Sequence, residues 1–401
     1  MRVLHLMHSM APHTGGTGEA VRQLATASRE IGHHHEVLAL DPASAPWMRG
    51  QPFAMHPMGP VGHYGYTRQL EPWLHRHGRD YDAWVVHGLW QYPGWAAHRA
   101  AREMTQPYFV APHGMLDPWF REHARLRHLK KWLYWRAVQH RVLRDARGVL
   151  FTADEEARRA RGTFRPYAVQ ACVVGLGVGG DTAACDVDPD AFLSAYPALR
   201  GRRLLLFLGR LHRKKGCDLL LEAFAALADP AFTLVMAGPD DDGQLQMLSE
   251  LARARGLGPQ QLVWTGMLEG ALKWQALRTA EALVLPSHHE NFGIVVAEAL
   301  SVGTPVLLSE RVNIWREVVD AGAGWAAADT AEGTLSLLRR WAALDGAARA
   351  AMRHRARDCF ERHFEGRAAA RRWAETLSRC LARPCVPAPA APAAKAAAAR
   401  P

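Results

Sequence analysis

The chain has 401 residues, of which 49% are hydrophobic and 22% are charged, the usual balance for a globular protein. This length is sufficient for two α/β domains, each with a core of its own. No segment approaches the ~20 consecutive apolar residues of a membrane-spanning helix, and residues 1–8 are too short for a signal peptide, so we expect a cytoplasmic protein. The net charge of +10 favours an anionic partner, which charge alone leaves open among nucleotide diphosphate, phospholipid and nucleic acid.

The first elements of the chain are predicted to be a strand, a helix and a second strand. Residues 2–8 and 36–40 are apolar runs, and the apolar residues between 20 and 31 recur at helical spacing. Gly15 and Gly16 fall in the loop after the first strand, the edge of a parallel sheet where ligands collect. The two glycines therefore allow backbone to approach a phosphate closely, although a tight turn without a ligand remains the alternative.

Two further short apolar runs, residues 84–88 and 108–114, each end in His-Gly. Each run predicts a buried strand with a polar side chain at its exit. His113 is the stronger candidate for a site residue because of the sequence around it, Pro-His-Gly-Met-Leu-Asp-Pro over residues 112–118. A lone histidine is nevertheless more often a structural group than a catalytic one.

Residues 121–148 form the most basic segment, with nine Lys or Arg residues against Glu122 and Asp145. Apolar residues recur there at helical spacing, and Trp132 and Trp135 alternate with cationic side chains. Such a helix suits a lipid headgroup layer, with cations outward and aromatic rings at the boundary. A core-packing helix with a solvated basic face is equally consistent, whereas RNA binding lacks a recognised aromatic motif.

A second strand–helix series begins near residue 203, where an apolar run is followed by the cationic loop 209–216. Arg210 and Lys215 on this loop can neutralise two phosphates, the arginine as a planar fork and the lysine as a mobile charge. Asp240, Asp241 and Asp242 satisfy the Asp-x-Asp pattern of a divalent-metal site, but the surrounding Pro-Asp-Asp-Asp-Gly is also common turn chemistry. The six cysteines have no Cys-x-x-Cys spacing, and the adjacent histidines have no coherent ligand spacing, so we expect no metal.

The stretch from 282 to 308 predicts a buried strand, an acidic loop, a helix that begins near Gly293, and another buried strand. Glu290 lies in the loop and Glu298 about one turn into the helix. The backbone N–H groups around Phe292, Gly293 and Ile294 would face the loop and favour an anion there. A glutamate beside that anion is plausible as an acceptor for a ribose diol, although a surface loop and a helix-capping acid are the alternative.

This stretch resembles the nucleotide-sugar site of the retaining group 1 glycosyltransferases, in the spacing of Glu290 and Glu298, the Asn-Phe-Gly of 291–293, and the Glu-Ala-Leu-Ser-Val-Gly-Thr-Pro-Val of 298–306. The resemblance extends to the 112–118 and 209–216 segments and covers nearly the whole chain up to an Ala/Pro-rich tail. It implies an α/β fold of two doubly wound Rossmann-like domains that face each other across a cleft (GT-B). The expected boundaries are an acceptor-side domain over 1–180, a nucleotide-sugar domain over 181–362, a helix over 363–382 that packs back on the first domain, and a disordered tail over 383–401.

The resemblance also implies roles for individual residues. Donor-binding roles fall to a set of residues from both halves: Gly15, Gly16, Arg210, Lys215, Asn291, Phe292, Gly293, Ile294 and Glu298. Glu290 and His113 would act at the transferred sugar, with retention at the anomeric carbon. The co-substrate would be a nucleotide-diphosphate sugar, with no other cofactor and no metal, because the two cations and the helix N–H groups would stabilise the departing diphosphate.

The expected function is transfer of a hexosyl group to a glycan or lipid-linked acceptor, in bacterial exopolysaccharide, capsule or lipopolysaccharide biosynthesis. The partners would be the donor, that acceptor and, through residues 121–148, an anionic membrane on its inner face, with no nucleic acid. Two alternatives stay open: a nucleotide-sugar hydrolase or epimerase on the same fold, and a non-catalytic basic protein that binds membrane or nucleic acid. The nucleotide, the sugar, the acceptor and the oligomeric state are not encoded in a motif.

Overall fold

The structure is a computed structural model that describes residues 1–12, 16–118, 125–179, 189–240 and 243–383. Within these ranges the strands form two parallel sheets, one from the first half of the chain and one from the second. The tail predicted over 383–401 lies outside the described residues except for Arg383.

The first sheet has seven strands in the order β3-β2-β1-β4-β5-β6-β7. The strands are β1 (Arg2–Met7), β2 (His34–Ala39), β3 (Met55–Pro57), β4 (Ala83–His87), β5 (Tyr108–Ala111), β6 (Gly148–Phe151) and β7 (Ala171–Val173). The helices of this half are α1 (Gly16–Glu30), α2 (Leu70–His77), α3 (Tyr92–Met104), α4 (Arg125–Tyr134), α5 (His140–Arg144) and α6 (Asp154–Ala160). A π-helical turn, Trp135–Gln139, joins α4 to α5.

The second sheet has six strands in the order β10-β9-β8-β11-β12-β13. The strands are β8 (Arg203–Leu208), β9 (Phe232–Ala237), β10 (Leu262–Gly266), β11 (Ala282–Leu285), β12 (Val306–Ser309) and β13 (Gly324–Ala327). Its helices are α7 (Pro189–Ala195), α8 (Cys217–Leu227), α9 (Gln244–Ala254), α10 (Gly270–Thr279), α11 (Ile294–Ser301), α12 (Trp315–Asp320), α13 (Ala331–Ala342) and α14 (Gly346–Cys359).

The last helix, α15 (Gly366–Ala382), returns to the first half of the chain. Its Trp373, Leu377 and Cys380 are buried against residues of the first sheet that include Val3 and Phe109. Because α15 follows the second-half elements in sequence, this packing ties the end of the chain to the first sheet.

Both sheets are buried on two faces, as their near-continuous apolar strands predict. β1 is almost fully buried from Val3 to Met7, and β8 from Leu204 to Leu208. In each sheet the strand order reverses once, between β1 and β4 and between β8 and β11. At such a reversal the connections from the two neighbouring strands run in opposite directions. They leave a crevice at the carboxyl ends of the strands, where ligands bind in open α/β sheets.

The elements predicted from the sequence are present, with small changes at their ends. The first helix begins at Gly16, so Gly16 belongs to the first turn of α1 and not to the loop after β1, where the sequence had placed it. In the basic segment Leu129, Trp132 and Leu133, which recur at helical spacing, are all exposed, whereas Trp135 is fully buried. None of the described helices is both long enough and apolar enough to cross a bilayer.

Candidate active site

The site is built where the two strand-order reversals face each other. After β8 the chain forms a cationic loop that ends in a short 3₁₀ turn, Arg213–Lys215. Gly216 closes the loop at φ +64°, and a Cβ there would lie 2.4 Å from the carbonyl oxygen of Pro286. Glycine is therefore required for the loop to pack against the exit of β11.

This packing brings together Lys215 and Glu290, which the sequence had placed on separate segments. Lys215 Nζ forms an ion pair with Glu290 Oε2, and both side chains are about four-fifths buried. Burial would raise the pKa of the Glu290 carboxyl, but the charge of Lys215 and its hydrogen bond outweigh that effect, so the pKa is lowered. Glu290 is thus a fixed anion directly beside a fixed cation.

A third cation, Lys214, lies next to this pair. Burial lowers the pKa of the Lys214 ammonium, while the negative charges of Glu290 and Asp117 act in the opposite direction. Asp117 belongs to the loop after β5, so a carboxylate of the first half of the chain faces the cationic loop of the second half. Arg210, by contrast, is exposed and forms no ion pair with a described residue.

The helix α11 points its N-terminus at the same position. It begins at Ile294, with Gly293 as N-cap at φ +72°. The N–H groups of Gly293 and Ile294 donate no hydrogen bond to the described residues, as expected for a first helical turn. Free N–H groups at a helix N-terminus attract an anion.

Glu298 lies one turn into α11 and is 7% exposed. Its Oε1 accepts a hydrogen bond of 2.8 Å from Lys273 Nζ of α10, and the Lys273 ammonium also lies 4.7 Å from the ring centroid of Trp274. Sequence reasoning missed Lys273, because a single lysine in an amphipathic helix carries no motif. The contact with Lys273 orients the Glu298 carboxylate at the edge of the cleft.

The opposite wall is formed by the loop after β5. His113 has φ +50° and Gly114 φ +76°, both in the left-handed region. The buried Glu156 accepts a hydrogen bond of 2.7 Å from the Gly114 N–H and others from Thr152, which fixes this loop. His113 is thereby held at the rim of the first sheet by contacts that the sequence did not reveal.

Asn291 connects the two walls. Its Nδ2 donates a hydrogen bond of 3.3 Å to Thr152 Oγ1 in the first half of the chain. A Cβ at Gly114 would lie 3.0 Å from the Asn291 Cβ, so the two loops are in van der Waals contact. The two halves of the chain are therefore closed on each other at this point.

A second contact closes the cleft at α1. A Cβ at Gly16 would lie 3.2 Å from Ile294 Cδ1, so the N-terminus of α1 faces the N-terminus of α11. Gly15 lies outside the described residues. Beside this contact opens a cleft of 880 Å³ that is lined from both halves of the chain, including Gln23, Lys273 and Glu298.

Phe292 is placed differently from the prediction, and Asp240 takes the turn role that the sequence allowed. Phe292 is 4% exposed and packs edge-on against Phe364 at 5.7 Å, so only its backbone can contact a ligand. Asp240 Oδ1 accepts a hydrogen bond of 2.6 Å from Gln244 N at the start of α9, which is the turn chemistry weighed above. Asp241 and Asp242 lie outside the described residues.

Adjacent histidines in the sequence are divided among separate ion pairs. His288 pairs with Asp329 at 2.9 Å, and His289 with Asp117 of the first half at 3.4 Å. In the described part of the chain, no group of three or more His, Cys, Asp or Glu side chains is arranged to hold a metal ion.

Two parallel-sheet domains that face each other, each with its strand-order reversal at the cleft, define the GT-B class of α/β folds. The chain belongs to the group 1 glycosyltransferases. Residues 194–358 match the family model described as "Glycosyl transferases group 1", and residues 15–177 match the model "Glycosyl transferase 4-like domain". The resemblance drawn from the residues is thus confirmed, together with the fold it implied.

Among curated proteins the chain is 28% identical to a D-inositol 3-phosphate glycosyltransferase of Nocardiopsis dassonvillei over 260 residues, which are 60% of this chain and 57% of that protein. Among solved structures it is similar to sucrose-phosphate synthase from Thermosynechococcus elongatus (TM-score 0.71, 18% identity, 94% of this chain and 99% of that one). It is also similar to HepE of Anabaena in complex with UDP and glucose (TM-score 0.74, 17% identity, 94% and 100%). At these identities the structural likeness concerns the fold.

Proposed function

We propose that this protein is a retaining glycosyltransferase that moves a hexosyl group from a nucleotide-diphosphate donor to a glycan or lipid-linked acceptor. The observation that carries the proposal is the Lys215–Glu290 ion pair, set between the N-terminus of α11 and the His113–Gly114 loop of the opposite wall. Family membership supports transfer as the reaction type.

The diphosphate is proposed to lie between the cationic loop and the N-terminus of α11. As the glycosidic bond breaks, negative charge grows on the departing diphosphate, and stabilising that charge is the main electrostatic task. Arg210 is exposed and adds to the positive charge around Lys214, Lys215 pairs with Glu290, and the N–H groups of Gly293 and Ile294 donate to no described residue. Lys215 and the helix N–H groups are held in place before the reaction, so they need little reorganisation in the transition state.

The nucleoside is proposed to extend from the diphosphate toward Glu298. A carboxylate accepts hydrogen bonds but does not donate them, and the 2′- and 3′-hydroxyls of a ribose donate two. Glu298 Oε1 accepts a hydrogen bond of 2.8 Å from Lys273 Nζ. Oε2 therefore remains as an acceptor for the diol. The second glutamate, Glu290, is proposed to hydrogen-bond the donor sugar and to support positive charge at its ring.

The metal-independent character of the reaction is part of the proposal. Cationic side chains and helix N–H groups would supply the positive potential that a divalent ion gives in other glycosyltransferases. Turnover that survives EDTA would support this, whereas activity lost with EDTA and restored by manganese would overturn it.

The acceptor is proposed to be presented at a membrane surface by α4. Leu129, Trp132 and Leu133 are exposed large apolar side chains on this helix, and Arg136 lies 5.4 Å from the Trp132 ring. Exposed apolar side chains flanked by cations suit the boundary of an anionic lipid layer. A role in cell-surface polysaccharide biosynthesis, with a peripheral location on the inner membrane face, follows as a proposal from such an acceptor.

The test begins with the donor. A panel of UDP-, GDP- and ADP-sugars is screened by thermal shift, because a ligand that binds only the folded state raises the melting temperature. The stabilising sugar nucleotide is then incubated with and without lipid-linked sugar acceptors, and products are separated by mass. Acceptor-dependent sugar transfer supports the proposal, free sugar released equally without acceptor indicates a hydrolase, and no stabilisation by any sugar nucleotide overturns donor binding.

A further inference from the structure

Four histidines form a continuous row beneath the candidate active site. His35 lies in β2, His5 in β1 and His87 at the end of β4, and these strands are neighbours in the sheet. His113 follows β5, the next strand along. The row therefore crosses the sheet diagonally, from His35 near the start of β2 to His113 just beyond the end of β5, where it reaches the cleft.

Each ring shares one hydrogen bond with the next. The joined atoms are His35 Nδ1 and His5 Nε2 at 2.7 Å, His5 Nδ1 and His87 Nε2 at 2.7 Å, and His87 Nδ1 and His113 Nε2 at 2.8 Å. The ring centroids of successive pairs are 5.0, 5.0 and 5.1 Å apart. This regular geometry involves both nitrogens of His5 and of His87.

The row is closed off from solvent at its far end. His5 is fully buried and His35 is 5% exposed, and Trp373 of α15 lies over both rings, 6.0 and 5.2 Å away. The charged groups that face this end are the N-terminal ammonium, His33 and His34. Burial, reinforced by neighbouring positive charge, lowers the pKa of His35 to about 3, and burial lowers that of His113 to about 4.

Neutral imidazoles have one N–H donor and one acceptor nitrogen each. Along the row the donors must therefore all point the same way. Either every ring donates toward His113, or every ring donates toward His35. The tautomer of His113 is thus coupled to that of His35, at the other end of the row.

The surroundings of His35 decide between these two directions of hydrogen-bond donation. His35 Nε2 is buried and has no hydrogen-bond partner among the residues that the structure describes. If the rings donated toward His35, this atom would carry an orphaned N–H, and orphaned buried N–H groups are rarer than orphaned acceptors. The favoured arrangement leaves a bare lone pair on His35 Nε2, so that His35 donates to His5, His5 to His87, and His87 to His113.

We propose that this histidine row fixes His113 as an obligate hydrogen-bond donor, with Nε2 accepting from His87 and the proton on Nδ1 directed to the ligand. His113 is partly exposed, and its Nδ1 has no hydrogen-bond partner among the described residues. His87, His5 and His35 are then positioning residues that act through His113. The proposal rests on the glycosyl-transfer function proposed above and refines the role of one residue in it.

The consequence concerns the partner of His113. A neutral ring whose Nδ1–H faces the cleft can donate a hydrogen bond to a sugar oxygen. Because that nitrogen already carries a proton, it cannot take one from an acceptor hydroxyl. The row therefore assigns His113 to binding the donor sugar and removes it as a candidate general base.

The tautomer can be read directly, without any assay of turnover. Histidine is labelled with ¹⁵N in the full chain, His113 is assigned by comparison with His113→Gln, and long-range ¹H–¹⁵N correlations are recorded at pH 7.5. A protonated, pyrrole-type Nδ1 and an unprotonated, pyridine-type Nε2 are expected for His113. The reverse pattern, or an averaged spectrum from both tautomers, would overturn the proposal.

A matched pair of variants tests the link through His87. In His87→Gln the side-chain amide can still donate to His113 Nε2. In His87→Glu the carboxylate can only accept, so His113 must carry its proton on Nε2. The new carboxylate also raises the pKa of His113, and above that pKa the neutral ring presents an unprotonated Nδ1 to the cleft. We expect kcat of His87→Glu to fall at least tenfold below that of His87→Gln at pH 8, with the gap closing toward pH 6, where the imidazolium again has an Nδ1 proton.

The control is His98→Gln. This buried histidine hydrogen-bonds Tyr108 at 3.2 Å and lies outside the row, so its variant should keep the parental pH profile. Parallel pH profiles for His87→Glu and His87→Gln would overturn the role of the row. Failure of the glycosyl-transfer proposal would show differently, as a parent protein that binds no sugar nucleotide while its His113 tautomer remains measurable.

Discussion

Lys215 Nζ and Glu290 Oε2 form an ion pair between two loops that lie 75 residues apart in the sequence. One loop ends the connection after β8 and the other follows β11, and these are the two strands between which the order of the second sheet reverses. The pair therefore joins the two sides of the crevice. It also fixes a cation and an anion where a diphosphate and a sugar would meet.

Replacing Lys215 by alanine should weaken binding of the donor diphosphate. A hydrogen bond to a charged group contributes about 1.5–3 kcal/mol, which corresponds to a loss of roughly 10- to 100-fold in affinity. Isothermal titration with the nucleoside diphosphate measures the effect, and Lys215→Arg should recover part of it. Arg255→Ala is the control, since Arg255 pairs with Glu222 in the second half of the chain and lines no part of the cleft. Equal affinity for Lys215→Ala and the parent would contradict the assignment.

Replacing Glu290 by glutamine should separate binding from chemistry. The amide keeps the shape of the side chain but removes the negative charge that is proposed to support the sugar ring. Nucleoside diphosphate should bind about as tightly as in the parent, while kcat for transfer should fall by about two orders of magnitude, a typical cost for losing one preorganised electrostatic group. A loss of affinity with kcat retained would instead make Glu290 a binding residue only.

The parts of this arrangement that could be predicted from the sequence are those carried by local pattern. The strands β8 and β11 are continuous apolar runs, and Gly293 precedes a helix as an N-cap in the left-handed region. Such signals depend on neighbours in the chain, so the sequence predicts the cationic loop and the acidic loop but not the contact between them.

The parts that could not be predicted depend on contacts between distant segments. Lys273 pairs with Glu298, and Asn291 reaches Thr152, only because particular elements pack side by side. His5 looks like an interruption within an apolar strand until His35 and His87 are seen on the neighbouring strands. The row takes one histidine from each of three strands and one from a loop, and a single histidine in a strand carries no periodicity, so no sequence pattern reveals the row.

Gly114 should be essential for closing the cleft. Its φ of +76° strains any residue with a Cβ by about 1–2 kcal/mol, and that Cβ would also press on Asn291 at 3.0 Å. We expect Gly114→Ala to lower kcat by tenfold or more while the protein stays folded, as measured by transfer assays and circular dichroism.

Gly88→Ala is the matched control for this prediction. Gly88 has φ +83°, but its added Cβ would meet only the flexible end of Met115 at 3.2 Å. Both variants therefore carry similar backbone strain, and only Gly114→Ala disturbs the contact across the cleft. Equal activity of the two would show that the Asn291 contact is unimportant.

The exposed face of α4 should bind anionic lipid. In co-sedimentation with phosphatidylglycerol vesicles at low salt, the parent should bind and a Leu129→Ser/Leu133→Ser variant should bind at least tenfold more weakly, because the apolar contribution is lost. The control is Leu245→Ser/Met247→Ser, which removes apolar side chains of similar exposure, 37% and 46%, from α9 in the other half. Equal loss in both variants, or no vesicle binding by the parent, would exclude α4 as the membrane contact.

The histidine row should make the protein lose stability in mild acid. In the unfolded chain each imidazole takes up a proton near pH 6.5, whereas burial lowers the pKa of the folded His35 to about 3. The unfolded state then binds more protons below pH 6.5, so the stabilisation present above that pH is lost as pH falls, by about 2 kcal/mol for each such histidine at pH 5. Urea unfolding between pH 7 and pH 5 measures the slope of the unfolding free energy against pH.

Two variants test the contribution of His35 to this slope. His35→Phe should reduce the slope by close to one proton. Val85→Ala, a purely apolar change in the same sheet, should lower stability by the same amount at every pH. A slope that is unchanged in His35→Phe would mean that His35 is protonated in the folded state. An imidazolium donates from both nitrogens, so His35 would still donate to His5, but the row would then contain a charged ring in place of four neutral ones.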